Sequence, residues 1–174
     1  MEKYEEALYQ LRVANGSVIS FELRRLNQIV LDDPLFYTAP GGSEHHHKYK
    51  HGLVIHVNEV MLNVFSMTKD RPSGELITAV IWHDYMKIRD YAISLEGEVL
   101  KLPYRKLINH VSGSAMEFHR TAYGKIPLME MEKIEHMLLS HHGRKEWGSP
   151  VEPSTAEAFI LHAADMMSAQ GVNL

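Results

Sequence analysis

Several histidines and aspartates of this chain stand where helical patterns otherwise carry apolar residues. They are His56, the adjacent pair His83 and Asp84, His110, the adjacent pair His141 and His142, and Asp165. Asp84 and the histidine before it end an apolar helical run, where a buried charge without a partner would cost several kcal/mol. Imidazoles and carboxylates without thiolates are ligands for hard or borderline divalent cations. The order of these residues therefore predicts a two-metal site whose ligands come from five helices.

Each candidate ligand shares a helix face with core residues at helical spacing. The examples are His56 with Val60 and Val64, Asp84 with Val80, His141 with Leu138, and Asp165 with Leu161. A single histidine in such a stripe is more often a core residue that is hydrogen-bonded to the backbone. Burying the whole set without compensation, however, would exceed a typical folding free energy of about 5–15 kcal/mol. Bound metal is the compensation that fits all of them.

The predicted chemistry is hydrolysis of a phosphoester. Two ions about 3.5–4 Å apart would share the catalytic carboxylate of Asp84 and a hydroxide that attacks the phosphorus. The same ions would offset the negative charge on the phosphoryl oxygens. We favour Mn²⁺, while Fe²⁺, Co²⁺, Ni²⁺, Zn²⁺ and Mg²⁺ stay open, because intrinsic affinity does not identify the physiological metal.

The composition is that of one ordinary globular domain. The 174 residues are 45% hydrophobic and 23% charged, which is enough for a sizeable core. The formal net charge of −4 provides no general basic field, so charge alone does not predict non-specific binding to nucleic acid. Bound divalent ions would reverse the sign locally, where an anionic substrate would bind.

The absence of cysteine excludes disulfides, thiolate metal sites and cysteine nucleophiles, and it fits a reducing cytoplasm. The polar N-terminus is unlike a signal peptide. No apolar run approaches the ~20 residues that span a bilayer. We therefore expect a cytoplasmic protein without a membrane partner.

Helical patterns dominate the chain and predict an all-α fold. The expected helices cover residues 4–13, 18–31, 53–69, 73–84 and beyond, 106–123, 128–142 and 154–169. Asn15-Gly16-Ser17 is expected to break the first two helices, and residues 34–48 to form a loop. Residues 91–105 are the least helical part and predict a short hairpin or irregular flap. We expect residues 1–32 to form N-terminal helices that pack on a single domain of residues 33–174.

Seven stretches of the chain together carry a family resemblance. They are Phe36-Tyr-Thr-Ala-Pro40, His46-His-Lys-Tyr49, Gly52-Leu-Val-Ile-His56, His83-Asp-Tyr-Met-Lys87, Asn109-His-Val-Ser-Gly113, His141-His-Gly-Arg-Lys-Glu-Trp-Gly-Ser-Pro150 and Ala156-Glu-Ala-Phe-Ile-Leu-His-Ala-Ala-Asp165. They resemble the HD superfamily of metal-dependent phosphohydrolases, and most closely the HD domain of YhaM-type 3′→5′ exoribonucleases. The resemblance covers roughly residues 33–169 and implies an HD-domain helical bundle.

The resemblance also implies how the ligands are divided between two ions. The first ion would be held by His56, His83, Asp84 and Asp165. Asp84 would bridge to a second ion, which would be held by His110, His141 and His142. Lys87 matches the lysine that follows the His-Asp pair in the family, and it would act as a catalytic group that binds a substrate phosphate.

Four further residues are candidates for substrate binding beside the lysine. His46 and His47 match the family pattern and would face the substrate or support the ions, the alternative being a solvated loop. Arg105 and its basic neighbours could form an anion-binding rim, although clustered charges are usually a solvated surface. Arg144 and Trp147 could stack a base, and anchoring of their own loop is the alternative.

The resemblance favours exonuclease-like cleavage of single-stranded nucleic acid in the 3′→5′ direction. YhaM-type enzymes carry an N-terminal OB-fold module, for which the 32 residues before Asp33 are too few. A (deoxy)nucleotide phosphohydrolase, or nucleotidase, therefore stays open as the alternative. A di-iron HD oxygenase and a non-catalytic binding module are further alternatives. The expected partner is a single-stranded nucleic acid or a nucleotide, and apolar positions in the first helices could serve a homo-oligomer.

Overall fold

The computed structural model describes residues 2–42, 47–69 and 71–172, and this part of the chain is predominantly helical. Its helices are α1 (Lys3–Ser17), α2 (Phe21–Leu31), α3 (Pro34–Thr38), α4 (Gly52–Met67), α5 (Gly74–Trp82), α6 (Lys87–Asp90), α7 (Tyr104–Leu107), α8 (Asn109–Ala122), α9 (Leu128–Ser140), a 3₁₀ turn (Lys145–Trp147) and α10 (Ala156–Ala169). The strands β1 (Tyr91–Ile93) and β2 (Val99–Lys101) pair antiparallel. The predicted all-α fold with a small hairpin is thus confirmed. None of the helices in these ranges combines the length and apolarity needed to cross a membrane.

Helices α4 and α5 form the interior of the bundle. Buried residues extend around both helices, from Leu53 to Val64 in α4 and from Leu76 to Trp82 in α5. A helix that is apolar on all sides needs neighbours on all sides. Accordingly, α1 and α10 pack on α4, and α2 and α9 pack on α5. α4 carries His56, and α5 ends at the residue before His83.

The break between the first two helices lies later than predicted. α1 continues to Ser17, and α2 begins after Ser20, whose hydroxyl accepts a hydrogen bond from Leu23 N in the first turn. Asn15 is buried within α1, where its amide donates to Arg24 O and its oxygen accepts from Asn27 Nδ2. Because partners in the interior occupy this side chain, it does not form the turn that the sequence suggested.

The loop predicted for residues 34–48 contains a short helix, so this prediction was wrong in part. The Asp33 side chain accepts a hydrogen bond from Leu35 N at the start of α3. Pro34 occupies the first helical position, where its missing N–H group is not needed. Phe36 is fully buried and anchors the helix in the core. An aspartate followed by proline signals a helix start as well as a turn.

Two other predicted helices end or divide next to candidate ligands. α5 ends at Trp82 rather than beyond Asp84, and a turn leads from there into α6. The helix predicted over residues 106–123 is divided into α7 and α8 near Ile108. Asn109 has a φ of 61° and its Oδ1 accepts a hydrogen bond from a backbone N–H in the first turn of α8. This side chain therefore starts a new helix immediately before His110.

Candidate metal centre

The seven predicted ligands lie together in two groups that share Asp84. The first group is His56, His83, Asp84 and Asp165, and the second group is Asp84, His110, His141 and His142. Within each group, one potential ligand atom from every residue lies within 4.8 Å of the others. The two groups are the sets that the family resemblance implied. We refer to them below as the first and the second ligand group.

All four residues of the first ligand group are buried. His56 Nε2 lies 3.1 Å from Asp84 Oδ2 and 3.1 Å from Asp165 Oδ1. His83 Nε2 lies 3.4 Å from His56 Nε2 and 3.4 Å from Asp84 Oδ2. α4, α10 and the turn after α5 thus each contribute to one compact set of nitrogen and oxygen atoms.

The histidines of the second ligand group face the other carboxylate oxygen of Asp84. His110 Nε2 lies 3.4 Å from Asp84 Oδ1 and 3.3 Å from His142 Nε2. His141 Nε2 lies 3.7 Å from the same aspartate oxygen. The start of α8 and the end of α9 therefore bring a second set of ligands to the opposite side of one carboxylate.

The turn after α5 lets His83 and Asp84 face the same centre. Consecutive residues of a continuous helix point in directions about 100° apart. His83 N still donates to Ala79 O, but the chain then leaves the helix, and Met86 N donates to Ser114 Oγ of α8. Ending the helix here, earlier than predicted, allows both side chains to reach the ligand groups.

The end of α9 likewise lets two consecutive residues, His141 and His142, face the same centre. Gly143 follows with a φ of 85°, and a Cβ atom there would collide with the imidazole of His162. His162 Nδ1 lies 2.8 Å from the carbonyl oxygen of His141. His162 therefore packs against the turn that carries His141 and His142.

Hydrogen bonds to Nδ1 fix the orientation of three of the candidate histidines. The Nδ1 atoms of His83, His141 and His142 lie 2.7, 2.7 and 2.9 Å from the backbone carbonyl oxygens of Val80, Leu138 and Trp147. A carbonyl oxygen only accepts, so each Nδ1 must carry the proton. In the neutral imidazole the lone pair is then on Nε2, the atom that points into the centre.

The other two histidines have their Nδ1 atoms bound by side chains. Asp90 Oδ2 lies 2.7 Å from His110 Nδ1. Ser168 donates its hydroxyl proton to Glu59 Oε2, so its oxygen accepts from His56 Nδ1, 2.9 Å away. All five imidazoles therefore present Nε2 to the ligand groups, which is the arrangement that histidine ligands of metals usually have.

This arrangement fits divalent ions. In each ligand group two Nε2 atoms approach closely, to 3.4 Å in the first and 3.3 Å in the second. In the second group both imidazoles are neutral, and two unshared lone pairs at that distance repel each other unless a cation lies between them. Nitrogens bound to one ion at about 2.0–2.1 Å have a similar separation. Asp84 Oδ1 and His141 Nε2 are also buried without a hydrogen-bond partner in the described part of the chain.

The electrostatics hold most of the ligands in their metal-binding forms. Burial opposes ionisation of Asp84, but the charges of Lys87 and His83 hold its pKa well below the usual range. Burial lowers the pKa of His141, and it lowers that of His142 to about 4. At neutral pH the second ligand group therefore combines the ionised carboxylate of Asp84 with the neutral imidazoles of His141 and His142.

The imidazole of His56 differs from those of His141 and His142, because its surroundings stabilise a positive charge. Burial lowers the pKa of this imidazole, but the hydrogen bonds that its protonated Nε2 donates to Asp165 and Asp84 raise it to about 9. Two ionised carboxylates thus stabilise positive charge at His56 Nε2. A divalent ion bound there would take the place of that proton.

Lys87, the predicted catalytic lysine, lies at the edge of the first ligand group. Its Nζ is 2.5 Å from Asp84 Oδ2, and its side chain is 13% exposed. Burial lowers the pKa of the ammonium group, but the carboxylates of Asp84 and Asp165 outweigh this and raise it. The lysine is therefore a fixed positive charge beside the centre.

His47, a predicted substrate-binding residue, lies beside the first ligand group. Its ring centroid is 5.3 Å from that of His56, and its Nε2 is 2.9 Å from Glu59 Oε2. Its backbone is held by a hydrogen bond from Gly41 N. A Cβ atom at Gly52 would collide with its carbonyl oxygen. His46, the neighbouring candidate, lies outside the described residues.

The two predicted substrate-binding arginines contact aromatic rings. Arg105 Nε donates to the hydroxyl of Tyr91, 3.1 Å away. The guanidinium of Arg144 lies over the ring of Trp147, 5.0 Å from its centroid. Trp147 is about half exposed (49%), and its carbonyl oxygen is the group that binds His142 Nδ1. Arg144 therefore contacts Trp147, the residue whose backbone orients His142 of the second ligand group.

Sequence reasoning did not single out the side chains that support His56 and His110. Glu59 and Ser168 lie one helical turn after His56 and Asp165, so helical spacing could have placed both near the centre. Asp90 had no comparable signal, because it belongs to a four-residue helix between a turn and a hairpin.

The fold and the site define the class of this protein: a helical domain with two histidine–aspartate ligand groups that share one aspartate. The chain belongs to the HD domain family, whose family model matches residues 53–170.

Curated relatives agree with this assignment. The 3′-5′ exoribonuclease YhaM of Listeria monocytogenes serotype 4b (strain CLIP80459) is 34% identical over 175 residues, which cover 97% of this chain and 53% of the relative. The protein of the same name from Geobacillus sp. (strain WCH70) is 31% identical over 179 residues, which cover 98% and 52%. The chain thus spans about half the length of these relatives. No solved structure matches it significantly.

Proposed function

We propose that this domain is a metal-dependent phosphohydrolase that shortens single-stranded nucleic acid from its 3′ end. The observation that carries the proposal is the position of Asp84, whose Oδ2 faces the first ligand group and whose Oδ1 faces the second. One carboxylate between two sets of ligands suits a pair of ions that act on one phosphoryl group. The name of these curated relatives, 3′-5′ exoribonuclease, supports the polymeric substrate and the direction.

The seven residues of the two ligand groups are the proposed metal ligands. Bound divalent ions, for which Mn²⁺ is our first choice, would supply an activated water and offset charge on the phosphoryl oxygens. The protein contributes Nε2 atoms in fixed orientations and buries the residues of the first group. Asp84 is the residue on which both ion positions depend.

Lys87 is proposed to bind a phosphoryl oxygen of the substrate. Its ammonium group is held by Asp84 at the edge of the centre and is partly open to solvent. A compact cation in that position attracts the phosphate that is to be cleaved. We assign His46, His47, Arg105 and Arg144 to the binding of flanking parts of the substrate.

Hydrolysis of free nucleotides is the second candidate, and the net charge of the chain favours it. A formal charge of −4 repels a long polyanion, whereas a basic surface would attract it. A nucleotide needs only the local positive charge of the ions and the lysine. The cytoplasmic location and the homo-oligomer expected from the sequence stay predictions.

The test is Mn²⁺-dependent hydrolysis of a 5′-labelled single-stranded oligonucleotide, as RNA and as DNA, beside a panel of free nucleotides. Wild type is compared with Asp84→Asn and with Asp32→Asn, an exposed carboxylate that serves as the matched control. A ladder of products that shorten from the 3′ end, lost only in Asp84→Asn, supports the exonuclease. Turnover of nucleotides with an intact polymer assigns the domain to nucleotide hydrolysis, and inactivity on both substrates contradicts the proposal.

A further inference from the structure

We infer that Asp90 and Glu59 are positioning residues, each of which supports the histidine of a different ion position. The inference rests on the proposed two-ion centre and deepens it. Neither residue is a candidate ligand, and both act through a histidine Nδ1 atom. Asp90 is hydrogen-bonded to Nδ1 of His110 in the second ligand group. Glu59 is linked to Nδ1 of His56 in the first ligand group through the hydroxyl of Ser168.

Asp90 is hydrogen-bonded to His110 through one carboxylate oxygen. It is fully buried, and its Oδ2 accepts hydrogen bonds from both the Nδ1 and the backbone N of His110, at 2.7 and 3.2 Å. Its backbone carbonyl accepts from Leu102 N, 2.8 Å away, which joins the end of the hairpin to the same point. A carboxylate at Nδ1 fixes the ring and makes Nε2 a stronger ligand.

Glu59 supports His56 through a hydroxyl. Ser168 Oγ lies 2.9 Å from Glu59 Oε2 and 2.9 Å from His56 Nδ1. The hydroxyl has one proton to donate, and the carboxylate can only accept. Glu59 thus makes Ser168 an acceptor toward His56, and this places the Nε2 lone pair in the first ligand group.

The Nδ1 atoms of the other three histidines of the two ligand groups bind backbone oxygens in the described part of the chain, which makes the two ion positions separable. His83, His141 and His142 are oriented by backbone carbonyl oxygens. A substitution cannot remove those supports. Each ligand group therefore contains one histidine that is supported by a carboxylate, and loss of either carboxylate should weaken only its own ion position.

The test measures Mn²⁺ binding by metal-depleted protein with titration calorimetry and counts bound Mn²⁺ per chain. The variants are Asp90→Asn and Glu59→Gln, which keep the side-chain shape and remove the negative charge. The matched control is Glu135→Gln, because Glu135 Oε1 lies 2.7 Å from His119 Nδ1 in a similar pair on the surface. Loss of such a support typically lowers metal affinity about 10- to 100-fold.

We expect wild type and the control to bind two Mn²⁺ ions, and each of the other variants to lose affinity at one position only. Placed in an Asp165→Asn background, which removes a ligand of the first position alone, Asp90→Asn should lower the affinity for the remaining ion about 10- to 100-fold. In the same background, Glu59→Gln should change the remaining affinity little.

Several outcomes would overturn the inference. One is wild-type affinity at both positions in both variants. Another is a loss at both positions together with a lower unfolding midpoint of the metal-free protein, which indicates a general structural role. If wild type itself binds fewer than two ions, the proposed two-ion function fails, and the inference fails with it. Because the two supports are on different elements, a variant that does not fold leaves the other as a complete test.

Discussion

Lys87 Nζ lies 2.5 Å from Asp84 Oδ2, the same carboxylate oxygen that faces the first ligand group. The ammonium group and a divalent ion at that position are therefore attracted to one atom. Since like charges at such short range repel strongly in a buried site, the lysine should oppose ion binding while it attracts the substrate. This dual effect separates its role from that of a ligand.

Substituting Lys87 by methionine should therefore separate metal binding from catalysis. We expect Lys87→Met to bind Mn²⁺ at least as tightly as wild type, because a competing positive charge is removed. Its kcat/KM should fall about 10-fold or more, because one charge-assisted contact to the phosphoryl group is lost. Lys87→Arg keeps the charge and should retain part of the activity, and Lys133→Met is the exposed control. Loss of bound Mn²⁺ in Lys87→Met would contradict the assigned role.

The two aspartates of the centre should differ in how many ions they control. Asp84 belongs to both ligand groups, whereas Asp165 belongs to the first group only. We expect Asp84→Asn to bind no Mn²⁺ and to lose about 100-fold or more in hydrolysis, and Asp165→Asn to retain one ion. Elemental analysis after gel filtration gives the number per chain. Equal losses in the two variants would argue against the shared position of Asp84.

Metal removal should lower the stability of the folded domain. An ion at 100 times its Kd stabilises the native state by about 2.7 kcal/mol, which corresponds to a rise of about 5–10 °C in Tm for a domain of this size. We expect EDTA to lower Tm and added Mn²⁺ to restore it. Asp84→Asn should show neither change, and a shift of equal size in that variant would place the stabilising ion elsewhere.

The contribution of Glu59 to stability should depend on pH on the acid side. Burial raises the pKa of Glu59, but the hydrogen bond and charge of His47, together with Ser168 and Lys3, lower it to about 2. Its folded-state pKa thus lies below the ordinary value of 4.5. The stabilisation is present above pH 4.5 and is lost as the pH falls toward 2.

Urea unfolding of metal-depleted wild type and Glu59→Gln at several pH values measures this effect. The difference in the free energy of unfolding should be greatest above pH 4.5 and should shrink as the solution is acidified. Glu132→Gln, on the exposed side of α9, controls for the loss of one charge. A difference that stays constant down to pH 3 would mean that Glu59 contributes through packing rather than through its charge.

Much of the fold and of the candidate site could be predicted from the sequence. Apolar residues at helical spacing located the main helices, and the same spacing placed His56, His141 and Asp165 on inward faces. The places where prediction failed are helix ends, such as Asn15 and Pro34. There one side chain has several possible partners, and tertiary contacts decide which one it binds.

The sequence by itself determined the helical class, the family and the identity of the residues suited to bind ions, because these depend on residue type and local spacing. The family resemblance also implied that two ions share Asp84. Only the tertiary structure decided that Asp90 is hydrogen-bonded to His110 and that Glu59 is linked to His56 through Ser168. His56 and Ser168 are 112 positions apart in the chain. Helical spacing can place each of these residues near the centre, but which pairs are in contact follows from how the helices pack.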